Sequence, residues 1–418
     1  LQGINALAQF KLDSMGFSRP VFKQTFQPHK KHYSITNFGA IGDGKTINTT
    51  AIQKTIDQCS AEGGGVVEVP QGVFISGSIF LKKDVDLQID AKGILKGSLN
   101  PDDYPQIQSS FEGVDKMYTA AFISAQNLSG FKVYGEGMID GSGEDYISVY
   151  RSITAKPKPG KPRLICFDHC NSFNISGLKL HNQAVWCLHL FKCTDVVAEG
   201  LIITAEHNIP SSDGIDIDQC TRVIVNHCDI DVNDDCISIK AGRETNTVPN
   251  LICQDITIEN TRFGYGHGGV AMGSETSGGI KNVLVTNCVA EAGNWAPVRF
   301  KSQQSRGGVV ENIVFKNFEL KNVNQAFEVN MNWTSSHGVL APPSNPLPVV
   351  KNVELYNVHG TAKRGGNLQG LKGSPIDNVK FIDCKIEAQV GLKMTDVKNV
   401  DYSGLNLMVK EGEKIINK

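Results

Sequence analysis

The chain has 418 residues with 41 basic and 43 acidic side chains, and its net charge of −2 gives no global attraction to nucleic acid or to an anionic membrane surface. Hydrophobic residues make up 40%, enough for a continuous core, yet no run approaches the roughly 18 apolar residues that a membrane helix needs. A soluble protein is expected, read as an N-terminal extension over 1–32 and one domain over 33–418, because solenoids and barrels run long as single units.

The first residue is Leu1 and no charged-then-apolar leader precedes the body, as expected if a targeting peptide was removed or the end was trimmed. From Tyr33 to Ala40 the pattern predicts a short strand closing on the Gly42-Asp43-Gly44 turn. A helix follows, capped at Asn48 or Thr49, with Ile52, Ile56 and Cys59 at helical spacing before Gly63-Gly64-Gly65 ends it. Its expected job is to cover the open end of a stack. Short strands are predicted at 66–69, 73–75, 85–89 and 94–95, separated by Gly or Pro turns.

Two stretches stand apart and read as long loops, 100–162 and 335–348. The first ends in a Lys/Pro run from Lys156 to Pro162, followed by Arg163, which is either a solvated turn or a wall beside an acidic ligand.

Between and beyond these loops, apolar-x-apolar phrases recur at intervals of about 20 to 40 residues, a spacing typical of repeat architectures. They begin at Phe173, Val196, Val223, Val283, Ile313, Val353, Val379 and Val400. Five residues into each copy lie Leu178, Leu201, Cys228, Cys288, Phe318, Val358, Cys384 and Leu405, a column of apolar or thiol side chains. The eleven cysteines are odd in number and scattered, so they read as core residues and not as a disulfide framework. Copies this short, without helical periodicity, predict an all-β parallel β-helix with the N-terminal helix as its cap.

The chemistry concentrates between Asn208 and Lys301. Ser212-Asp213-Gly214-Ile215-Asp216-Ile217-Asp218 and Asp234-Asp235-Cys236-Ile237-Ser238-Ile239-Lys240 are two copies of one phrase, each with acid at the start of a period-two strand. Carrying the register forward makes His267 to Met272 a third rung and Val298 to Lys301 a fourth. Asp213 and Asp235 then fall on consecutive rungs about 4.8 Å apart, with Asp234 beside them. Crowded carboxylates repel, so at least one should bind its proton more tightly, leaving a donor beside charged acids. Glycoside hydrolysis asks for that pairing; the same acids could hold a hard cation such as calcium, or simply make turns. His267, bare between glycines, aligns with Asp234, while Arg299 and Lys301 share one face and can grip a carboxylate-bearing sugar.

Taken together these residues resemble the polygalacturonases, the pectin hydrolases of glycoside hydrolase family 28. Ser211-Ser212-Asp213 stands where that family has Asn-Thr-Asp, and Asp234-Asp235, Gly266-His267-Gly268 and Arg299-Phe300-Lys301 follow in the family's order. Val185-Trp186 resembles its Trp segment, and the likeness covers about Tyr33 to Leu320.

The resemblance implies a right-handed parallel β-helix that cleaves with inversion and needs neither metal nor cofactor. Asp234 would be the general acid, Asp213 and Asp235 would polarise water, and His267 would tune the acid. Arg299 and Lys301 would hold the galacturonate carboxylate, with Glu275 and Arg163 as further substrate contacts. The loss of Asn-Thr at Ser211-Ser212 leaves the neighbouring sugar open. The stretches 273–279 and 305–308 resemble exo-acting members, and the 100–162 insertion could close one end of the cleft. A pectic oligo- or polysaccharide is the implied partner, for a monomeric, secreted or periplasmic enzyme. A rhamnogalacturonan hydrolase is the next reading, though such enzymes carry Asp-Glu where this chain has Asp234-Asp235. A calcium-dependent pectate lyase and a non-catalytic carbohydrate-binding β-helix are the other classes.

Overall fold

A computed structural model describes residues 31–154, 156, 158–334 and 341–417. Almost every strand pairs in parallel with the equivalent strand one coil further on, giving a single parallel β-helix. A typical coil has three strands, as in Ile215–Asp218, Thr221–Asn226 and Asp229–Asp231. The predicted repeat is this coil: Val196 pairs with Val223, Val283 with Ile313, Ile313 with Val353, Val353 with Val379 and Val379 with Val400. Ile256, which the repeat list passes over, supplies the missing coil between Val223 and Val283. Inward-facing side chains of all coils form one continuous core, and all eleven cysteines are buried free thiols, ten of them within it.

The chain turns into this row of phrases at one residue per coil with left-handed backbone. Asn282, Asn312, Asn352 and Asn378 occupy it in successive coils at φ between 54° and 59°. Each amide donates to the previous coil's side-chain oxygen, at 3.2 Å from Asn312 to Asn282, 3.1 Å from Asn352 to Asn312 and 2.8 Å from Asn378 to Asn352. Asn tolerates this backbone because its short amide bonds locally, and stacking joins those amides into a ladder.

At the N-terminus helix α1 (Thr49–Ala61) buries Ile52, Ile56 and Cys59 against the first coil, as predicted. Asn48 precedes it, but its side chain bonds Ile41 and Thr46 and so pins the preceding turn, without capping the helix. The predicted strand over 33–40 is instead a three-residue strand, His32–Ser34, followed by a 3-10 turn, Ile35–Phe38, that Gly39 terminates at φ 97°. The expected extension lies outside the described residues apart from Lys31 and His32, as does much of the 335–348 loop.

The stretch 100–162 is not one long loop. It holds a full coil (Ile123–Gln126, Lys132–Gly135 and Met138–Asp140), helix α2 (Gly143–Ser152), and an antiparallel hairpin of Gln106–Phe111 with Val114–Thr119. The hairpin lies outside the stack on a small core of its own, Phe111 and Tyr118 with Val185 and Trp186. Its tip is tied down where Gly113 O accepts from Arg243 N at 3.2 Å and Asn246 Nδ2 at 2.8 Å. The coil inside this stretch is hard to read because its strands are only three or four residues long and lie between the inserted hairpin and helix.

Candidate active site

One face of the stack carries six successive strands: β1 (Leu188–Phe191), β2 (Ile215–Asp218), β3 (Asp235–Lys240), β4 (Gly266–Met272), β5 (Asn294–Lys301) and β6 (Phe327–Asn330). The predicted register holds, with Ile215 opposite Ile237, Ile237 opposite Val270, and Val270 opposite Val298. Alternate residues point into the core, so the intervening ones build an outward polar column of His189, Asp216, Ser238, Ala271, Arg299 and Glu328. On β4 the outward positions shrink to Ala271 and Gly268. A Cβ on Gly268 would lie 2.8 Å from Asp235 Oδ1 and 3.3 Å from Arg299 Cδ, so only glycine leaves the space those side chains cross.

Through that gap β5 reaches back to β3. Arg299 NH1 lies 3.3 Å from Asp235 Oδ1 and donates to His267 O at 3.1 Å, while its Nε binds Glu328 at 2.8 Å. Lys301 pairs directly with the other oxygen of Asp235 and lies 5.4 Å from the ring of Trp333. One oxygen each of Asp213, Asp234 and Asp235 lies within 4.8 Å of the others. His267 Nδ1 is 3.1 Å from Asp234 Oδ1, and the His267 side chain is 51% exposed, open to a ligand. Thus the six residues expected to gather, Asp213, Asp234, Asp235, His267, Arg299 and Lys301, do share one groove.

The charges divide unequally. Burial, reinforced by repulsion from Asp216 and Asp234, pushes Asp213 well above the ordinary carboxylate range. Burial also works against the ionised form of Asp234, but the bond from His267 and the charges of Lys301, His267 and Lys240 outweigh it and hold Asp234 low. In the free protein the proton therefore favours Asp213, whereas the sequence resemblance makes Asp234 the acid. His267 is raised by its bond to Asp234.

Two of the expected substrate contacts are placed elsewhere. Arg163 is fully buried, donating to Ser110 O at 2.8 Å and Ser109 Oγ at 2.8 Å, with His189 Nδ1 at 2.6 Å. Its guanidinium fastens the hairpin to the coil beneath and cannot reach a ligand in the groove. Glu275 is 3% exposed and pairs with Lys240 at 3.3 Å and Arg243 at 3.2 Å. Burial alone would raise it, but Lys240, Arg243 and Arg306 keep it ionised, so it acts as an anchor in the wall.

Lys240 is the residue the motif reading missed. Its ammonium lies 3.9 Å from Asp213, 3.5 Å from Asp216 and 4.7 Å from the ring of Trp186, joining the acid cluster to the groove floor. The signal was present in the alternation of β3, which puts Lys240 on the outward face with Ser238. The calcium reading can be weighed against the same groups. Three carboxylates this close would suit a hard cation, but Lys240, Arg299 and Lys301 already supply positive charge at Asp213 and Asp235. An added cation would enter against three fixed ones.

Known proteins resemble this chain over most of its length. The family model described as "Glycosyl hydrolases family 28" matches residues 59–408. A "Probable polygalacturonase" of Vitis vinifera is 28% identical over 390 residues, covering 89% of this chain and 78% of the relative. An "Exo-poly-alpha-D-galacturonosidase" of Dickeya chrysanthemi is 28% identical over 428 residues, covering 90% and 70%. Among solved structures, an exopolygalacturonase from Thermotoga maritima superposes with a TM-score of 0.74 at 25% identity, covering 91% of this chain and 93% of the other. One from Yersinia enterocolitica gives 0.83 at 23% identity, covering 94% and 78%, a likeness of fold.

Proposed function

The chain belongs to the glycosyl hydrolases of family 28 and is a glycoside hydrolase of polygalacturonase type, and from that premise we propose an exo-acting enzyme. It trims galacturonic acid from the end of a pectic chain, with inversion, as a secreted or periplasmic monomer that requires no metal. The observation that carries the hydrolase reading is a carboxylate triad faced by Arg299 and Lys301, and what supports exo action is the hairpin packed on Val185 and Trp186 beside that groove. In this reading the hairpin is the wall against which a chain end stops.

In the proposed reaction Asp234 protonates the glycosidic oxygen as the bond to the anomeric carbon breaks. Water, polarised by Asp213 and Asp235, attacks from the opposite face and loses its proton to them. This needs one proton on the triad, held by Asp234. A galacturonate carboxylate arriving at Arg299 and Lys301 adds negative charge and offsets the positive field that keeps Asp234 ionised. Asp234 then takes the proton that Asp213 held, and Asp213 is left ionised to accept one from the attacking water. The closeness of the oxygens, within 4.8 Å, is tighter than the roughly 6.5–9.5 Å usual for inverting pairs. Inversion therefore rests on the family, and the product anomer tests it.

Defined oligogalacturonides incubated in chelator, with product size and anomer followed by NMR, should give stepwise trimming from one end and the inverted anomer first. Random internal cleavage would make the enzyme endo-acting, and a product with a new ultraviolet-absorbing double bond would make it a lyase. Asp234→Asn should lower turnover by at least about 100-fold while the far-ultraviolet circular dichroism stays unchanged. An undiminished rate in that variant removes Asp234 from the acid role.

A further inference from the structure

Beside the hairpin lies a pocket of about 740 Å³, within the size range of small-ligand sites. Ser211 lines it, two residues from Asp213, so the pocket adjoins the triad on the side away from β5. Its other walls include the stacked rings of Phe111 and Tyr118, 4.4 Å apart, and three lysines, Lys116, Lys158 and Lys161.

Those lysines are unusual for their surroundings. Among the described residues no carboxylate oxygen lies within 4.0 Å of any of the three. Lys161 donates to Pro210 O at 3.1 Å, and Lys158 to Tyr150 O at 3.2 Å and Arg151 O at 3.3 Å. Lys116 lies 5.4 Å from the centres of both Phe111 and Tyr118. The one acid in the lining, Glu112, is half exposed and faces Arg243 at 4.0 Å. Burial lowers Lys161 to about 8, with Asp213 and Glu112 opposing that fall, so it is charged in neutral and acidic solution. Three ammonium groups in one recess, beside the rims of two packed rings, make a receptor for an anion carried on an apolar-faced ring, which describes a uronate.

We propose that this pocket is a second carboxylate station, which grips a uronate on the hairpin side of the groove while Arg299 and Lys301 grip a carboxylate on the far side of the triad. It deepens the exo-hydrolase reading and rests on it. Two cationic stations flanking the acids would fix a chain end in register with the bond to be cut, and would penalise neutral or esterified ends.

The test uses trigalacturonate and two derivatives, each with the carboxyl group of one terminal ring reduced to the alcohol. For the wild-type protein, one of the two derivatives should show kcat/KM lowered by roughly tenfold or more, the scale of one charge-assisted hydrogen bond. In Lys116→Met and in Lys161→Met, native trigalacturonate should fall by a similar factor and the penalty for that derivative should shrink toward none. Lys116, which only overlies two rings, guards against the chance that Lys161→Met merely loosens the Pro210 loop. A wild-type enzyme indifferent to both reductions, or a penalty unchanged in both variants, overturns the second station. If wild-type protein leaves native trigalacturonate untouched, the hydrolase reading itself fails.

Discussion

His267 and Asp234 form the pair on which pH should act most directly. The pair raises the histidine above its usual 6.5 and holds the acid low. If the charge of protonated His267 beside Asp234 is needed for the acid step, kcat/KM should decline as pH rises through that raised value. His267→Ala should move the alkaline limb to lower pH, and a profile that does not move would deny the histidine this part. Asp216 makes a stability prediction of its own. It is fully buried, and burial raises it to about 7, with Lys240 opposing and Asp235 and Glu275 adding to the rise. A carboxyl whose folded pKa lies above its unfolded value near 3.8 binds more protons in the folded state. Its contribution is complete below about 4 and is lost as pH climbs to about 7. Urea unfolding across that window should show the decline in wild type and a flatter line in Asp216→Asn. Arg163 belongs with the scaffold. Arg163→Met should cost about 1–3 kcal/mol for each buried partner left unmatched, lowering the urea midpoint, with KM moving less than stability.

Among the repeating elements, the asparagine ladder gives the sharpest expectation. Asn312→Ala removes two stacked amide bonds and forces a side chain with no local bonding into left-handed backbone, at about 1–2 kcal/mol for the backbone alone. Asn312→Gly relieves the backbone and should be the milder of the two, so equal losses in urea unfolding would assign the cost to the amides. The ladder also shows why so much of the fold was legible. Asn282, Asn312, Asn352 and Asn378 each stand directly before an apolar-x-apolar phrase, so turn and strand announce one another. The groove strands were equally readable, since a period of two leaves no choice about which side of Ile215-Asp216-Ile217-Asp218 is polar. What stayed hidden depends on contacts between distant segments. Nothing local says that Arg163 is swallowed by Ser109, Ser110 and His189, or that Glu275 turns toward Lys240. The hairpin was lost within a longer loop because Gln106–Phe111 and Val114–Thr119 pair with each other and not with the stack.

At the scale of the whole molecule, stability rests on packing and register without covalent staples. Ten of the eleven buried thiols share the core with its aliphatic and aromatic side chains, and burial pushes most of the eleven far from thiolate formation, Cys166 to about 11 and Cys228 to about 12. The native protein should therefore react slowly with a thiol reagent and yield about eleven equivalents once unfolded. A reductant should leave the unfolding midpoint unchanged, and a drop would reveal a cross-link. No helix among the described residues is long and apolar enough to cross a membrane.

The register between coils also constrains how such a protein can change in length. Asp235 meets Arg299 and Lys301 across an intervening strand whose outward side is nearly bare. Lineages can therefore gain or shed entire turns beyond the coils that carry the hairpin and β1 to β6 and inherit the chemistry intact. A duplication falling between Asp235 and Arg299 would separate partners that no side chain is long enough to reunite, so variation in this architecture should accumulate toward its two tips.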